Sequence, residues 1–110
     1  MHKSSVVSLV AGFATGEDRA ARKSQELILQ LLAHSTRPFS RDQFSPGHIT
    51  ATGLVLHPSR DAVLLVHHRR LDRWLLPGGH VEDADTAIYN TARREVIEET
   101  GVCLAPPGEP

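Results

Sequence analysis

Three glutamates in the second half of the chain lie at a spacing that favours metal binding. Glu95, Glu98 and Glu99 occupy positions i, i+3 and i+4, so a helix would carry them on one face. Like charges at this spacing repel one another, and a helix without a ligand gains nothing from the arrangement. Carboxylate oxygens are the ligands that Mg²⁺ and Mn²⁺ prefer. The spacing therefore predicts a divalent-metal site rather than a solvated acidic face.

A helix that follows a glycine loop is expected to position these carboxylates. Apolar residues recur at every fourth position of the segment, at Ile88, Ala92 and Val96. Gly101 fits the left-handed residue that ends many helices. The pattern predicts a helix from Thr86 to Thr100, with Asp85 or Thr86 as its N-cap.

Upstream of the glycine loop, short apolar runs predict a small sheet. Residues 49–56 and 62–66 are rich in β-branched and aliphatic side chains, and the turn-forming stretch 58–61 between them indicates a hairpin. A third strand is predicted at 73–76, with Trp74 in the core or, as the second possibility, in the wall of a pocket. We expect these runs to form a mixed sheet over residues 47–76 that packs on the helix. The basic stretch 67–70 then marks a strand end in solvent, or steers phosphates.

The first part of the chain predicts a helix and a connector. Leu27, Ile28, Leu31 and Leu32 recur at helical spacing, which indicates a helix over about 17–33 capped by Thr15. This apolar face is expected to pack against the sheet. Pro38 and Pro46 interrupt the stretch that follows. We therefore divide the chain into an N-terminal helical segment and connector at 1–46 and a domain portion at 47–110.

Bulk composition excludes several classes of protein. The 110 residues suffice for one small domain, and 40% hydrophobic with 23% charged residues is typical of globular proteins. A net charge of −1 predicts no nucleic-acid partner and no membrane partner. Cys103 is the only cysteine, so it cannot form an intramolecular disulfide, and we expect it to pack in a strand. The short apolar run at 6–14 lacks a clear cleavage site. A cytoplasmic location is expected.

Two stretches of this sequence resemble the Nudix hydrolase family. The family pattern is Gly, five residues, Glu, seven residues, then Arg-Glu-U-x-Glu-Glu-x-Gly-U, in which U is a bulky aliphatic residue. Residues 94–102 read Arg-Glu-Val-Ile-Glu-Glu-Thr-Gly-Val and match every specified position of the second half. Residues 74–82, which include Pro77-Gly78-Gly79, are similar to the usual strand and loop before it.

The sequence departs from the family pattern at two points. Asp85 stands where the family has a glutamate, and eight residues rather than seven separate it from Arg94. One extra residue inside a helix would rotate the two by about 100°. We therefore expect the extra residue to lie in the loop before the helix. The resemblance implies that the acidic residue at position 85 mainly orients Arg94 and is not the chief metal ligand, so the departures should alter loop geometry more than metal binding.

The resemblance implies a fold and a set of roles. The implied fold class is α/β (α+β), a Nudix-type mixed β-sheet with flanking helices, incomplete at the C-terminus. The Gly79 carbonyl and the carboxylates of Glu95, Glu98 and Glu99 would bind Mg²⁺ or Mn²⁺, with Glu98 as the base and Arg94 orienting a carboxylate.

The implied activity is hydrolysis of the diphosphate bond in a nucleoside diphosphate linked to another moiety. The alternative is a non-catalytic module that binds a nucleotide-like ligand or effector. In either case the partner is a small nucleoside diphosphate derivative, and substrate-binding residues are not identifiable. Because the motif usually lies in mid-domain, we expect this chain to be truncated after it, weakly stable or self-associating, and of little activity by itself.

Overall fold

Helices lie at both ends of the described chain, and short strands lie between them. The computed structural model describes residues 1–105. The elements in chain order are α1 (Lys3–Ala11), α2 (Arg19–His34), β1 (Thr50–Thr52), β2 (Val66–His68), β3 (Arg73–Leu75), β4 (Gly78–His80) and α3 (Ile88–Thr100). Helices combined with small antiparallel sheets confirm the predicted mixed α/β class.

The predicted helix near the N-terminus is present as α2, with a different cap. Asp18 is the N-cap residue, and its side chain accepts a hydrogen bond from the backbone N–H of Ala21 at 3.0 Å. The expectation that Thr15 caps this helix is therefore wrong. A carboxylate at this position satisfies a free N–H and also interacts favourably with the helix dipole.

Helix α1 was not predicted, and it changes the environment expected for α2. The two helices pack against each other, and the Gln25 amide donates hydrogen bonds to the carbonyls of Val10 and Phe13 at 2.8 and 2.9 Å. Val6 of α1 and Leu32 of α2 are buried. The main partner of α2 is thus another helix rather than the sheet, contrary to the expectation from its apolar face.

The strands form two separate antiparallel pairs instead of one sheet across residues 47–76. β1 pairs with β4, and β2 pairs with β3 through a turn at 69–72. Of the predicted hairpin over 49–66, an isolated bridge between Leu56 and Val63 is present. Short apolar runs have a preference for extended backbone, but the pairing partner is decided by contacts distant in sequence.

The glycines expected to form a loop instead form strand β4. Helix α3 packs against both β4 and its partner strand β1. A Cβ atom built at Gly78 would lie 2.5 Å from the carbonyl oxygen of Ala51. β1 and β4 can therefore approach each other this closely because residue 78 has no side chain. Ala51 and Val96 are buried beneath this contact between helix and sheet. The glycines therefore bring β4 close to both neighbouring elements.

Helix α3 confirms the prediction closely, apart from its first residues. It begins at Ile88 with Ala87 as its N-cap, and no side chain caps it. Asp85 and Thr86 are therefore not its caps. Gly101 adopts a left-handed conformation with φ of 69°, and its N–H donates to the Ile97 carbonyl at 2.9 Å. The helix ends where the glycine predicts.

Two further expectations for single residues were wrong. Trp74 is 66% exposed and packs edge-on against the His67 ring, so it is not a core residue. Cys103 is exposed and lies outside any strand. None of the helices within residues 1–105 has the length and apolar content needed to cross a bilayer.

Candidate functional site

One face of α3 brings two of the three glutamates onto the glycine strand. The Glu95 carboxylate lies so close to Gly79 that a Cβ atom built there would be 2.5 Å from the carboxyl carbon. Glu99, one helical turn later, accepts a hydrogen bond from the Gly78 N–H at 3.2 Å. Glu98 is 57% exposed and lies 3.5 Å from Arg94. The helix spacing and the absence of side chains at Gly78 and Gly79 together place carboxylates beside the strand backbone.

Arg94 lies at the centre of the site and contacts three parts of the chain. Its guanidinium donates to the His80 carbonyl of β4 at 2.9 Å and to the Glu95 carboxylate at 2.9 Å. Glu98 lies 3.5 Å away, and Glu82, in the loop after β4, lies 3.3 Å away. A planar guanidinium with five N–H donors can make several such bonds at once. Arg94 therefore holds strand, loop and helix together.

The buried carboxylate of Asp85 is the strongest partner of Arg94. The Arg94 Nη2 group donates to Asp85 Oδ2 at 2.8 Å, and Nε donates to Oδ1 at 3.3 Å. Oδ2 also accepts from the Glu82 backbone N–H and from the Thr91 hydroxyl, both at 2.9 Å. Hydrogen bonding to Arg94 lowers the pKa of Asp85 far below its usual range, although burial opposes this shift. The same bond to Asp85 raises the pKa of Arg94.

A pair of histidines joins the connector to the end of β4. His48 Nε2 lies 3.2 Å from His80 Nδ1, and His48 Nδ1 lies 3.1 Å from the Gln43 carbonyl oxygen. Burial lowers the pKa of His80, and the charges of Arg41 and His48 lower it further, while that of Glu95 opposes them. His48 thus has two partners that nothing in the sequence indicated.

The donor set around Gly79 fits a hard divalent cation in its chemistry and its location. Glu95 and Glu99 supply carboxylate oxygens beside β4 backbone, and Mg²⁺ prefers such oxygens. Within residues 1–105, however, no three His, Cys, Asp or Glu side chains are gathered closely enough to hold a metal ion. Arg94 bonds Glu95 and contacts Glu98 instead. Metal binding would therefore require Glu95 and Glu98 to exchange contacts with Arg94 for contacts with the cation.

Asp85, the first departure from the family pattern, lies in the loop before α3. Thr86 and Ala87 separate it from Ile88, where the helix begins, and the location of the extra residue in this loop stays a prediction. Sequence reasoning named Asp85 as a partner of Arg94 but missed Thr91, the buried residue that bonds it. The helical spacing could have indicated Thr91, because it lies three residues before Arg94 and four before Glu95 and therefore shares their face of the helix.

A second concave region lies away from these carboxylates. A cavity of about 830 Å³ is formed between residues 55–64 and the segment 102–105. Its lining is mainly apolar, with Arg60 as one charged member, and it includes neither Gly79 nor the α3 glutamates. The predicted site and this cavity are therefore separate features of the described chain.

The fold and the site together define a small α/β protein in which an arginine–carboxylate network fastens a helix to a glycine strand. A family model described as the NUDIX domain matches residues 47–109, which is more than half of the chain. The chain therefore belongs to the Nudix family. Comparisons with curated proteins and with solved structures give no match.

Proposed function

We propose that this chain is, or forms part of, a metal-dependent hydrolase that cleaves the diphosphate bond of a nucleoside diphosphate linked to another moiety. The observation that supports this most is the position of Glu95 and Glu99 beside the backbone of Gly78-Gly79. Like charges one turn apart repel, and a bound cation would offset the charge of Glu99 as well as that of Glu95, which Arg94 already bonds. We further propose residues 47–110 as the hydrolase portion and 1–46 as its helical segment and connector.

Gly79, Glu95, Glu98 and Glu99 are the proposed ligands of Mg²⁺ or Mn²⁺. When bound, the cation would supply positive charge to the diphosphate oxygens and to the leaving phosphate. Arg94 would then orient the carboxylates while it keeps its bonds to Asp85 and to the His80 carbonyl. Because Arg94 has these other partners, it can lose its contacts with the glutamates to the cation and remain in place.

Glu98 is the proposed general base. Its side chain is 57% exposed, so its carboxylate can reach a water beside the substrate. Glu98 would accept a proton from this water as the water oxygen forms a bond to phosphorus. The bridging oxygen then leaves with the second phosphate, and the products are a nucleoside monophosphate and the phosphorylated remainder.

The alternative is a non-catalytic module that binds a nucleotide-like ligand. One observation favours it: Arg94 already compensates the charge of Glu95 and lies close to Glu98, so the folded chain does not need a cation for charge balance. In this case an anionic ligand would be recognised without being cleaved.

Calorimetric titration with Mg²⁺ and with Mn²⁺ tests the metal site. The wild type should bind with heats that Glu98→Gln and Glu99→Gln reduce, whereas Glu26→Gln on the exposed face of α2 serves as the charge-matched control. Binding should also raise the melting temperature by mass action. Equal heats in all four proteins would exclude these ligands.

A panel of nucleoside diphosphate derivatives with detection of phosphate products tests catalysis. Mg²⁺-dependent formation of a nucleoside monophosphate, abolished in Glu98→Gln, is the result expected of a hydrolase. Saturable binding of a panel member without any product would instead support the ligand-binding alternative.

A further inference from the structure

A buried threonine faces the same carboxylate that holds Arg94. Thr91 has no exposed surface, and its hydroxyl donates to Asp85 Oδ2 at 2.9 Å. A helical threonine usually satisfies its hydroxyl with the carbonyl four residues earlier. Thr100 of the same helix does so, bonding the Val96 carbonyl at 2.6 Å. Thr91 thus uses its hydroxyl for a contact distant from its own helical turn.

The Asp85 carboxylate accepts hydrogen bonds from three groups, the Glu82 N–H, the Arg94 guanidinium and the Thr91 hydroxyl. The loop binds it through the Glu82 N–H at 2.9 Å, and the Asp85 N–H in turn donates to the Glu82 carbonyl at 2.9 Å. Arg94 binds both carboxylate oxygens. Thr91 is the link between this carboxylate and the helix apart from Arg94 itself. Removing its hydroxyl would leave Asp85 connected to α3 by the long side chain of Arg94 alone, so the carboxylate and the guanidinium could shift together.

The shorter side chain of Asp85 makes this link important. The family pattern places a glutamate here, one methylene longer and one residue closer to the arginine. In this chain eight residues separate the carboxylate from Arg94 and its side chain reaches less far, so its position over α3 depends on groups that meet it from the helix. The hydroxyl of Thr91 is such a group, and its small buried side chain leaves room for the carboxylate.

We propose that Thr91 is a positioning residue of the candidate site, which sets the orientation of Arg94 through Asp85 and thereby that of Glu95 and Glu98. This role rests on the proposed function as far as turnover is concerned. The orientation of Arg94 itself is independent of catalysis and can be observed directly.

The test compares Thr91→Ser with Thr91→Ala and with Thr91→Val. Serine and alanine both lose the methyl group and differ only in the hydroxyl, so their comparison remains decisive if the valine variant does not fold. The first readout is the Nε–H signal of Arg94 in ¹H–¹⁵N NMR spectra, whose bond to Asp85 Oδ1 is described above. The second is the separation of kcat from KM on whichever panel substrate is cleaved.

The wild-type and serine proteins should give the same slowly exchanging Arg94 signal, and alanine and valine should shift it and speed its exchange with solvent. Turnover should fall about tenfold in the variants without the hydroxyl, the loss of one hydrogen bond to a charged group, with KM unchanged. Thr86→Val, which removes an exposed hydroxyl bonded to Asn90, should leave both readouts unchanged. An Arg94 signal in Thr91→Ala identical to that in Thr91→Ser would overturn the proposal. If the wild type cleaves no substrate, the proposed function fails, while the Arg94 signal still decides the role of Thr91.

Discussion

Replacing Asp85 by asparagine should destabilise the fold strongly, although the two side chains have the same shape. Oδ2 accepts three hydrogen bonds, from Arg94, Thr91 and the Glu82 N–H, and Oδ1 accepts one from Arg94 Nε. An asparagine must put its NH₂ group at one of these positions. Either orientation brings donor against donor, and the charge that faces Arg94 is lost in both.

The expected loss of stability is about 2–3 kcal/mol. Breaking a buried ion pair costs roughly 3–5 kcal/mol when the remaining charge has no other partner. Arg94 keeps Glu82, Glu95 and Glu98 within 3.5 Å, so part of that cost is recovered. For a small domain, about 2–3 kcal/mol corresponds to a melting temperature lower by roughly 10–20 °C.

The loss should also depend on pH with a definite sign. The folded pKa of Asp85 lies below its unfolded value, so ionised Asp85 stabilises the fold fully at pH values above about 4, the ordinary pKa of aspartate. This stabilisation is lost as the pH falls from there through the folded pKa. The unfolding free energies of wild type and Asp85→Asn should therefore differ most near neutral pH and converge in acid.

Urea denaturation followed by circular dichroism, repeated from pH 7 to pH 3, measures both effects. Asp83→Asn is the matched control, since Asp83 lies exposed in the same turn. The reasoning is refuted if Asp85→Asn is no less stable than Asp83→Asn at pH 7, or if the difference does not narrow in acid.

Three more predictions concern the loop, the helix end and the surface. Asp85→Glu should destabilise the fold by about 1–3 kcal/mol, because an additional methylene is forced into a buried site. Deleting Thr86 in that variant should restore part of the lost stability. Equal stability of Asp85→Glu and wild type in urea denaturation would contradict this. Gly101→Ala should cost about 1 kcal/mol by thermal denaturation, since its φ is 69° and its Cβ would meet nothing within 4 Å; an unchanged melting temperature would rule out the conformational cost. Large apolar side chains between residues 54 and 76 are exposed, Leu54 and Trp74 each by 66%. Sedimentation velocity should therefore show self-association that increases with concentration, whereas a monomer at all concentrations would count against it.

Local sequence signals predicted α3 and failed at β4, and the contrast has a physical cause. The helix has a repeating apolar face and a terminal glycine, both of which act within a few residues. Two adjacent glycines have no preference for extended backbone, so β4 exists because β1 lies beside it. A partner almost thirty residues earlier cannot be inferred from the glycines themselves.

The candidate site shows the same division between local and distant information. The spacing of Glu95, Glu98 and Glu99 placed them together on α3, while the family resemblance suggested that Asp85 orients Arg94. The N-cap assignment of Asp85 was wrong because its carboxylate is used by Arg94 and Thr91 on the helix rather than by the first helical N–H groups. The His48–His80 contact joins two segments that share no motif, so no pattern in either one indicated it.

The contacts of Arg94 have a consequence for how the chain opens locally. Arg94 is a residue of α3, and its guanidinium bonds β4 through the His80 carbonyl and the loop through Asp85. Segments that share such a link cannot unfold separately without breaking it, so they should behave as one cooperative unit. Backbone amides of β4 and of the central turns of α3 should then exchange with deuterium at a common rate, and the amides of the β2–β3 hairpin, which lies outside this link, should exchange independently.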